Sequence, residues 1–108
     1  MVKVNETDRI LSYLGFAKKA GKLVSGQGNC ENAIKGNKAL LILLSGDTSL
    51  NTQKHFSDMA IYRNIPIYML SGDNLGNAIG KEEHKTVCIL DKGFAEAIIK
   101  EINLNIGG

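Results

Sequence analysis

A three-layer αβα sandwich around a roughly four-stranded mixed sheet is the α/β fold this sequence predicts, and three observations carry it. The run Ala39-Leu40-Leu41-Ile42-Leu43-Leu44-Ser45 is apolar up to its terminal serine, the pattern of a strand buried on both faces. Amphipathic stripes at helical spacing lie before and after it: Ile10, Leu11, Leu14, Ala17 and Ala20, then Phe94, Ala95, Ile98, Ile99 and Ile102. Between these landmarks helical and strand patterns alternate as α-β-α-β-α-β-α-β-α, with no linker, repeat or low-complexity segment. That alternation calls for helices on both faces of a sheet.

Each element has a local cause. Asn5 and Asp8 have the spacing of a capping box, with Asp in place of the usual Glu, and open the first helix. Gly21 is placed to end it in a left-handed cap. Residues 22–25 read as a short strand. A second helix is expected from about residue 28 to 35, stopped by Gly36-Asn37. After the apolar strand, Gly46-Asp47-Thr48-Ser49 is a turn rich in cap residues. The third helix, about 50–63, carries Phe56, Met59 and Ala60 on one face. Asn64-Ile65-Pro66 breaks it and starts a strand over 67–70. Ser71-Gly72-Asp73 turns the chain into a short helix over 74–79. The small residues of the segment Leu75-Gly76-x-Ala78-Ile79-Gly80 are expected to let the helix lie close to the sheet. Residues 86–90 form the last strand.

A chain of 108 residues is one domain by the usual ~100–200 residues per domain, and it can bury a core without staples. No apolar run approaches the ~18 residues of a transmembrane helix, and Met1-Val2-Lys3-Val4-Asn5-Glu6 has no apolar signal core. No membrane partner is expected. Cys30 and Cys88 offer neither a disulfide framework nor metal-ligand spacing, so a reducing, cytoplasmic setting is the expectation. Cys88 falls in an apolar strand and should behave as a small buried hydrophobe. The net charge is only +2, but it is uneven: Arg9, Lys18, Lys19, Lys22, Lys35 and Lys38 face the single acid Glu31 in that stretch. A basic N-terminal third fits a phosphate-facing patch, or simply a solvated lysine face.

The glycine turn Gly26-Gln27-Gly28 follows a predicted strand and opens a helix, as in a dinucleotide fingerprint. Glu31 stands where the third glycine would be, and Asp47, near the spacing of the ribose acid, lies in a turn. No Walker-type Gly-Lys-Ser/Thr is present. RNA asks different things of the same turn. A helix N-terminus presents unpaired N–H groups to phosphate, and the amides of Gln27, Asn29 and Asn32 can donate and accept at base edges. Lys22, Lys35 and Lys38 would supply phosphate charge. A purely structural role, with Asn29 and Asn32 capping and solvating the helix, fits the composition equally. His55 reads as a surface residue and His84 as a solvated residue of the charged loop Lys81-Glu82-Glu83-His84-Lys85. Neither has a metal-ligand partner at helical or loop spacing. No nucleophile–base arrangement or acid pair stands out, so no catalysis, metal or cofactor is expected.

With these segments in place, the chain resembles the kink-turn-binding ribosomal proteins (archaeal L-seven-Ae, eukaryotic L-thirty-e), and more closely their small bacterial YlxQ-like branch. The resemblance covers nearly the whole chain. It rests on the stretch from Leu14-Gly15-Phe16-Ala17-Lys18 through Ala20-Gly21-Lys22-Leu23-Val24-Ser25-Gly26, on Lys38-Ala39 and the apolar strand, and on Asp47-Thr48-Ser49-x-Asn51-Thr52. It continues with Ile65-Pro66, Leu75-Gly76-x-Ala78-Ile79-Gly80-Lys81 and Asp91-Lys92-Gly93-Phe94-Ala95. The resemblance implies an αβα fold and a non-catalytic role on bent or internally looped RNA. Structured RNA, ribosomal RNA among the candidates, and ribosomal proteins are the implied partners; DNA is not. In the family, an Asn-Glu pair after the glycine reads sheared G·A pairs; Gly28 and Asn29 occupy those positions here. A family lysine three residues on aligns with Asn32. Lys81 and Glu83 match loop positions where the family offers an apolar and often a basic residue. The implied RNA contacts are thus Gly26, Gln27, Gly28, Asn29 and Asn32, with Ile79, Gly80 and Lys81 from the loop, and Lys22, Lys35 and Lys38 on phosphate. Two other readings stay open: a protein-interaction or ribosome-assembly module with little base readout, and a small-nucleotide binder on Gly26-x-Gly28.

Overall fold

The computed structural model describes residues 1–106. Among them the elements run β1 (Val2–Val4), α1 (Asp8–Lys19), β2 (Leu23–Ser25), α2 (Gln27–Lys35), β3 (Leu41–Leu44), α3 (Leu50–Arg63), β4 (Ile67–Leu70), α4 (Leu75–Ala78), β5 (Thr86–Ile89) and α5 (Lys92–Ile106). The strands form one sheet in the order β1-β4-β3-β5-β2. β4 runs parallel to both β1 and β3, while β5 is antiparallel to both β3 and β2.

The β3 run is apolar throughout because both faces of the strand are covered. Leu41 and Leu43, with Val87 and Ile89 of β5, pack under Ile10 and Leu14 of α1, Leu75 of α4 and Ile98 of α5. Ile42 and Leu44, with Cys88, pack against Cys30 and Ile34 of α2 and Phe56 of α3. The period-2 geometry of a strand sends neighbours to opposite layers, giving the three-layer sandwich.

The sheet has five strands rather than the roughly four expected. The added strand is β1, in register Val2↔Tyr68 to Val4↔Leu70. Three residues with only Val4 buried leave no alternation to read, and the strand exists because β4 offers it a parallel edge. The first helix is also capped differently. Thr7, not Asn5, is the N-cap, accepting from the Ile10 N–H at 3.2 Å. Glu6 instead accepts from the backbone and side-chain amides of Asn74 at 3.2 and 2.9 Å, tying the start of α1 to that of α4.

Helices α1 and α2 end in the same way. Gly21 (φ 71°) follows α1, with its N–H on the Lys18 carbonyl and the Lys22 N–H on that of Ala17. Asn37 (φ 59°) follows α2, with its N–H on Ile34 and the Lys38 N–H on Ala33. These paired bonds satisfy carbonyls that the helix end would leave open. They also set Lys22 and Lys38 just beyond the two helix ends.

Candidate nucleic-acid interface

Strand β2 ends at Ser25, and the chain turns into α2 through Gly26 at φ 88°, ψ 150°, a conformation essentially reserved for glycine. The Gly26 N–H donates to the Thr86 carbonyl at 2.9 Å, which fixes the turn to the start of β5. No side chain caps α2. The N–H groups of Gln27, Gly28 and Asn29 find no acceptor among the described residues. They are the donors a helix start leaves free, at the positive end of its dipole. A Cβ at Gly28 would meet nothing within 4 Å, so the turn is open to a large partner. Gln27 Nε2 donates to Thr52 Oγ1 at 3.2 Å, and Asn29 Nδ2 to the Ser25 carbonyl at 3.1 Å. Asn29 therefore keeps its side-chain oxygen and one amide hydrogen for a ligand.

The loop after α4 forms the second wall. The Lys81 N–H returns to the Gly76 carbonyl at 2.9 Å, and Gly80 takes φ 73°. The small residues of α4 were expected to bring it close to the sheet. Gly76 instead faces its own following loop: an added Cβ would lie 2.6 Å from the Lys81 oxygen and 2.7 Å from that of Glu82. The close approach therefore shapes the loop. The His84 N–H then bonds the Lys81 carbonyl at 2.9 Å, and the imidazole turns back over the α2 turn. Its Nδ1 lies 2.7 Å from Ser25 Oγ, and Cε1 and Nε2 lie 3.3 Å from where a Gly26 Cβ would stand.

The expectation of a solvated His84 thus fails: the ring is part-buried and covers Gly26. Nothing near residue 84 in sequence announces this, because the contact joins the far ends of β2 and β5. His84 adds an aromatic face beside free backbone donors, a combination suited to unstacked bases. Gly26→Ala is expected to cost about 1–3 kcal/mol from backbone strain and to displace the ring, read by denaturant unfolding and by the His84 NMR shifts. An unchanged midpoint would show that the turn accommodates a side chain.

Beside this loop, Asp47 accepts from Ser45 Oγ at 2.6 Å and pairs with Lys85 at 3.3 Å. The Ser45 hydroxyl first, and then Lys85, hold its carboxyl below the ordinary range. Lys85 is thereby engaged, whereas Lys81 has no ion-pair partner among the described residues.

The predicted contacts fall into three places. Gly26, Gln27, Gly28, Gly80 and Lys81 gather at one end of the sheet, where Ile79 is buried in the core and lends only its backbone. Asn29 and Asn32 lie further along α2, lining a shallow groove. Lys22, Lys35 and Lys38 stand at the opposite end: the Lys22 carbonyl accepts from Leu90, past the end of β5, whereas Gly26 bonds its start. Nine residues of α2 separate the two ends by about 13 Å at 1.5 Å per residue. His55 is exposed and contacts Glu31 at 3.1 Å. Cys30 and Cys88 are free and buried, and contact with Cys88 together with burial pushes the Cys30 thiol pKa up.

Residues 8–99 match the model of the ribosomal protein L7Ae/L30e/S12e/Gadd45 family. The chain belongs to this family. Among its relatives is an RNA-binding protein YlxQ of Bacillus subtilis, 39% identical over 87 residues that cover 80% of this chain and 87% of the relative. An RNA-binding protein YlxQ of Enterococcus faecium is 32% identical, covering 86% and 92%. The large ribosomal subunit protein eL30 of Tetrahymena thermophila is 30% identical, covering 94% and 100%. These matches place the chain on the bacterial YlxQ-like branch of the family. In structure it resembles a Bacillus halodurans protein of unknown function, with TM-score 0.84 at 30% identity over 90% of this chain and 99% of that one. The fold also recurs in a 15.5 kD RNA-binding protein of Giardia lamblia, with TM-score 0.72 at 13% identity over 89% and 86%. Among the described residues no cluster of three or more His, Cys, Asp or Glu could hold a metal ion, and no helix is long and apolar enough to cross a membrane.

Proposed function

We propose that this chain is a non-catalytic, cytoplasmic RNA-binding domain of the ribosomal type, spanning residues 1–108. It engages a bent or internally looped, kink-turn-like RNA of the ribosome or translation apparatus, ribosomal RNA being the first candidate. One observation carries the reading: three unpaired backbone N–H groups at the start of α2 open beside the loop bearing Lys81 and His84. Backbone donors and a lysine suit phosphate, while the Asn29 amide and the His84 face suit unpaired bases. The names of the YlxQ relatives support the same reading.

The test is a titration at one stated salt concentration against a kink-turn RNA, an unbent duplex of equal length and a single strand. The kink-turn is expected to bind tightest. Asn29→Ala with Asn32→Ala is expected to erase that preference while leaving the fold intact. Equal, weak binding to all three RNAs, fading steeply with salt, would reduce the interface to a general basic patch and overturn the reading.

A second reading, a protein-interaction or assembly module, draws on the half-exposed Phe16 in a groove between α1 and α4. Partner capture that survives nuclease treatment would favour it; complete loss on nuclease would dismiss it.

A further inference from the structure

The lysines placed far from the Gly26 turn remain to be explained. Among the described residues Lys22, Lys35 and Lys38 make no ion pair, and neither do Lys18 and Lys19, whereas Lys54, Lys85 and Lys92 are each matched to a carboxylate. They are not needed to satisfy the helix end either, since the Asn37 and Lys38 N–H groups already bond the last carbonyls of α2. The nearby acids are occupied: Glu31 contacts His55, and Asp91 accepts the Phe94 N–H at 2.9 Å as the cap of α5. Lys22, Lys35 and Lys38 thus have no carboxylate within ion-pair distance among the described residues. A groove of about 350 Å³ runs from this end toward the turn as far as Asn29, lined by Val24, Asn29, Asn32, Gly36, Lys38 and Leu90. It follows α2 alongside the edge strand β2.

We infer that the RNA backbone runs from the Gly26 turn along this groove to a second phosphate-binding station made by Lys22, Lys35 and Lys38. The partner is then an RNA that continues past its bent or looped segment. The separation of about 13 Å corresponds to about four stacked nucleotides at ~3.4 Å each. The inference rests on the proposed RNA reading of the α2 turn. It adds what that reading lacks, namely the length and path of the ligand. Asn29 and Asn32, midway along the groove, face the intervening nucleotides.

The test uses the kink-turn RNA in two forms, one with a flanking helix and one trimmed flush with the bend. Binding of the parent and of the Lys22→Gln, Lys35→Gln, Lys38→Gln variant is titrated over a range of salt. On the extended RNA the variant is expected to lower the slope of log K against log [salt] by about 2–3, at about 0.7–0.9 unit for each of the lost phosphate contacts. On the trimmed RNA the two proteins are expected to bind alike. The corresponding triple arginine variant should restore the parental slope. Equal slopes for parent and glutamine variant on the extended RNA would overturn the second station. So would an equal loss on both RNAs, which would put these lysines at the turn or in non-specific attraction. If the parent binds neither form, the RNA reading itself falls, and the second station with it.

Discussion

Gly76→Ala is expected to destabilise the protein by about 2–3 kcal/mol, toward the upper part of the range for forcing extra atoms into a packed site. The added methyl would stand 2.6 Å from the Lys81 oxygen, 2.7 Å from the Glu82 oxygen and 3.0 Å from the Glu82 carbonyl carbon. All three are backbone atoms, so no flexible side chain can yield. Gly28→Ala is the matched control. Gly28 is also a helical glycine, but its added Cβ meets nothing within 4 Å. There the gain in helix propensity is expected to stabilise by about 0.5–1 kcal/mol. Urea unfolding of both variants reads the contrast directly, and heating should show the Gly76 variant melting about 10 °C lower. The functional consequence runs through the loop. If residues 81–82 move, the His84 N–H loses its Lys81 carbonyl and the ring leaves Gly26, so RNA affinity should fall with stability. A Gly76 variant as stable as the parent would mean that the loop shifts at no cost and that Gly76 does not set its shape.

The same residues show what the sequence could and could not convey. Helix α3 was legible at both ends: Ser49 in a cap-rich turn accepts the Thr52 N–H, and Asn64 takes the left-handed conformation before Ile65-Pro66. β3 was legible because a strand covered on both sides is apolar at every position. These are local signals. Strand β1 was not legible, since three residues become a strand only when β4 supplies hydrogen bonds from more than sixty residues away. His84 looked solvated because its neighbours are charged, yet its ring is held by Ser25 across the sheet. The lysines mislead in the opposite sense. Lys22 is four residues from Gly26, but an extended strand places the two at opposite ends of β2. Lys35 and Lys38 lie at the far end of a helix whose start is the candidate site. Proximity in sequence suggested one cluster; the rise of a strand and of a helix divides it into two. The family resemblance carried the fold, which the structure shows as helices on both faces of one sheet.

Gln27→Pro is expected to weaken RNA binding about ten- to hundredfold while leaving the fold in place. Gln27 is the first residue of α2, the position where proline is best accepted because its missing N–H has no helical partner to lose. The residue before it also suits a proline: Gly26 already has ψ 150°, within the extended range that a following proline requires. The substitution therefore removes one of the three free donors at minimal structural cost, and melting should stay within about 1 kcal/mol of the parent on those grounds. A hydrogen bond to a charged group contributes about 1.5–3 kcal/mol, which sets the expected loss if that N–H meets a phosphate. Gln27→Ala separates backbone from side chain. It keeps the N–H, gives up only the exposed contact from Nε2 to Thr52, and should bind within a few-fold of the parent. If the proline and alanine variants bind equally, the Gln27 N–H touches no phosphate. Recognition would then rest on the Gly28 and Asn29 N–H groups and on side chains, with Asn29 and His84 as the side chains placed to supply it.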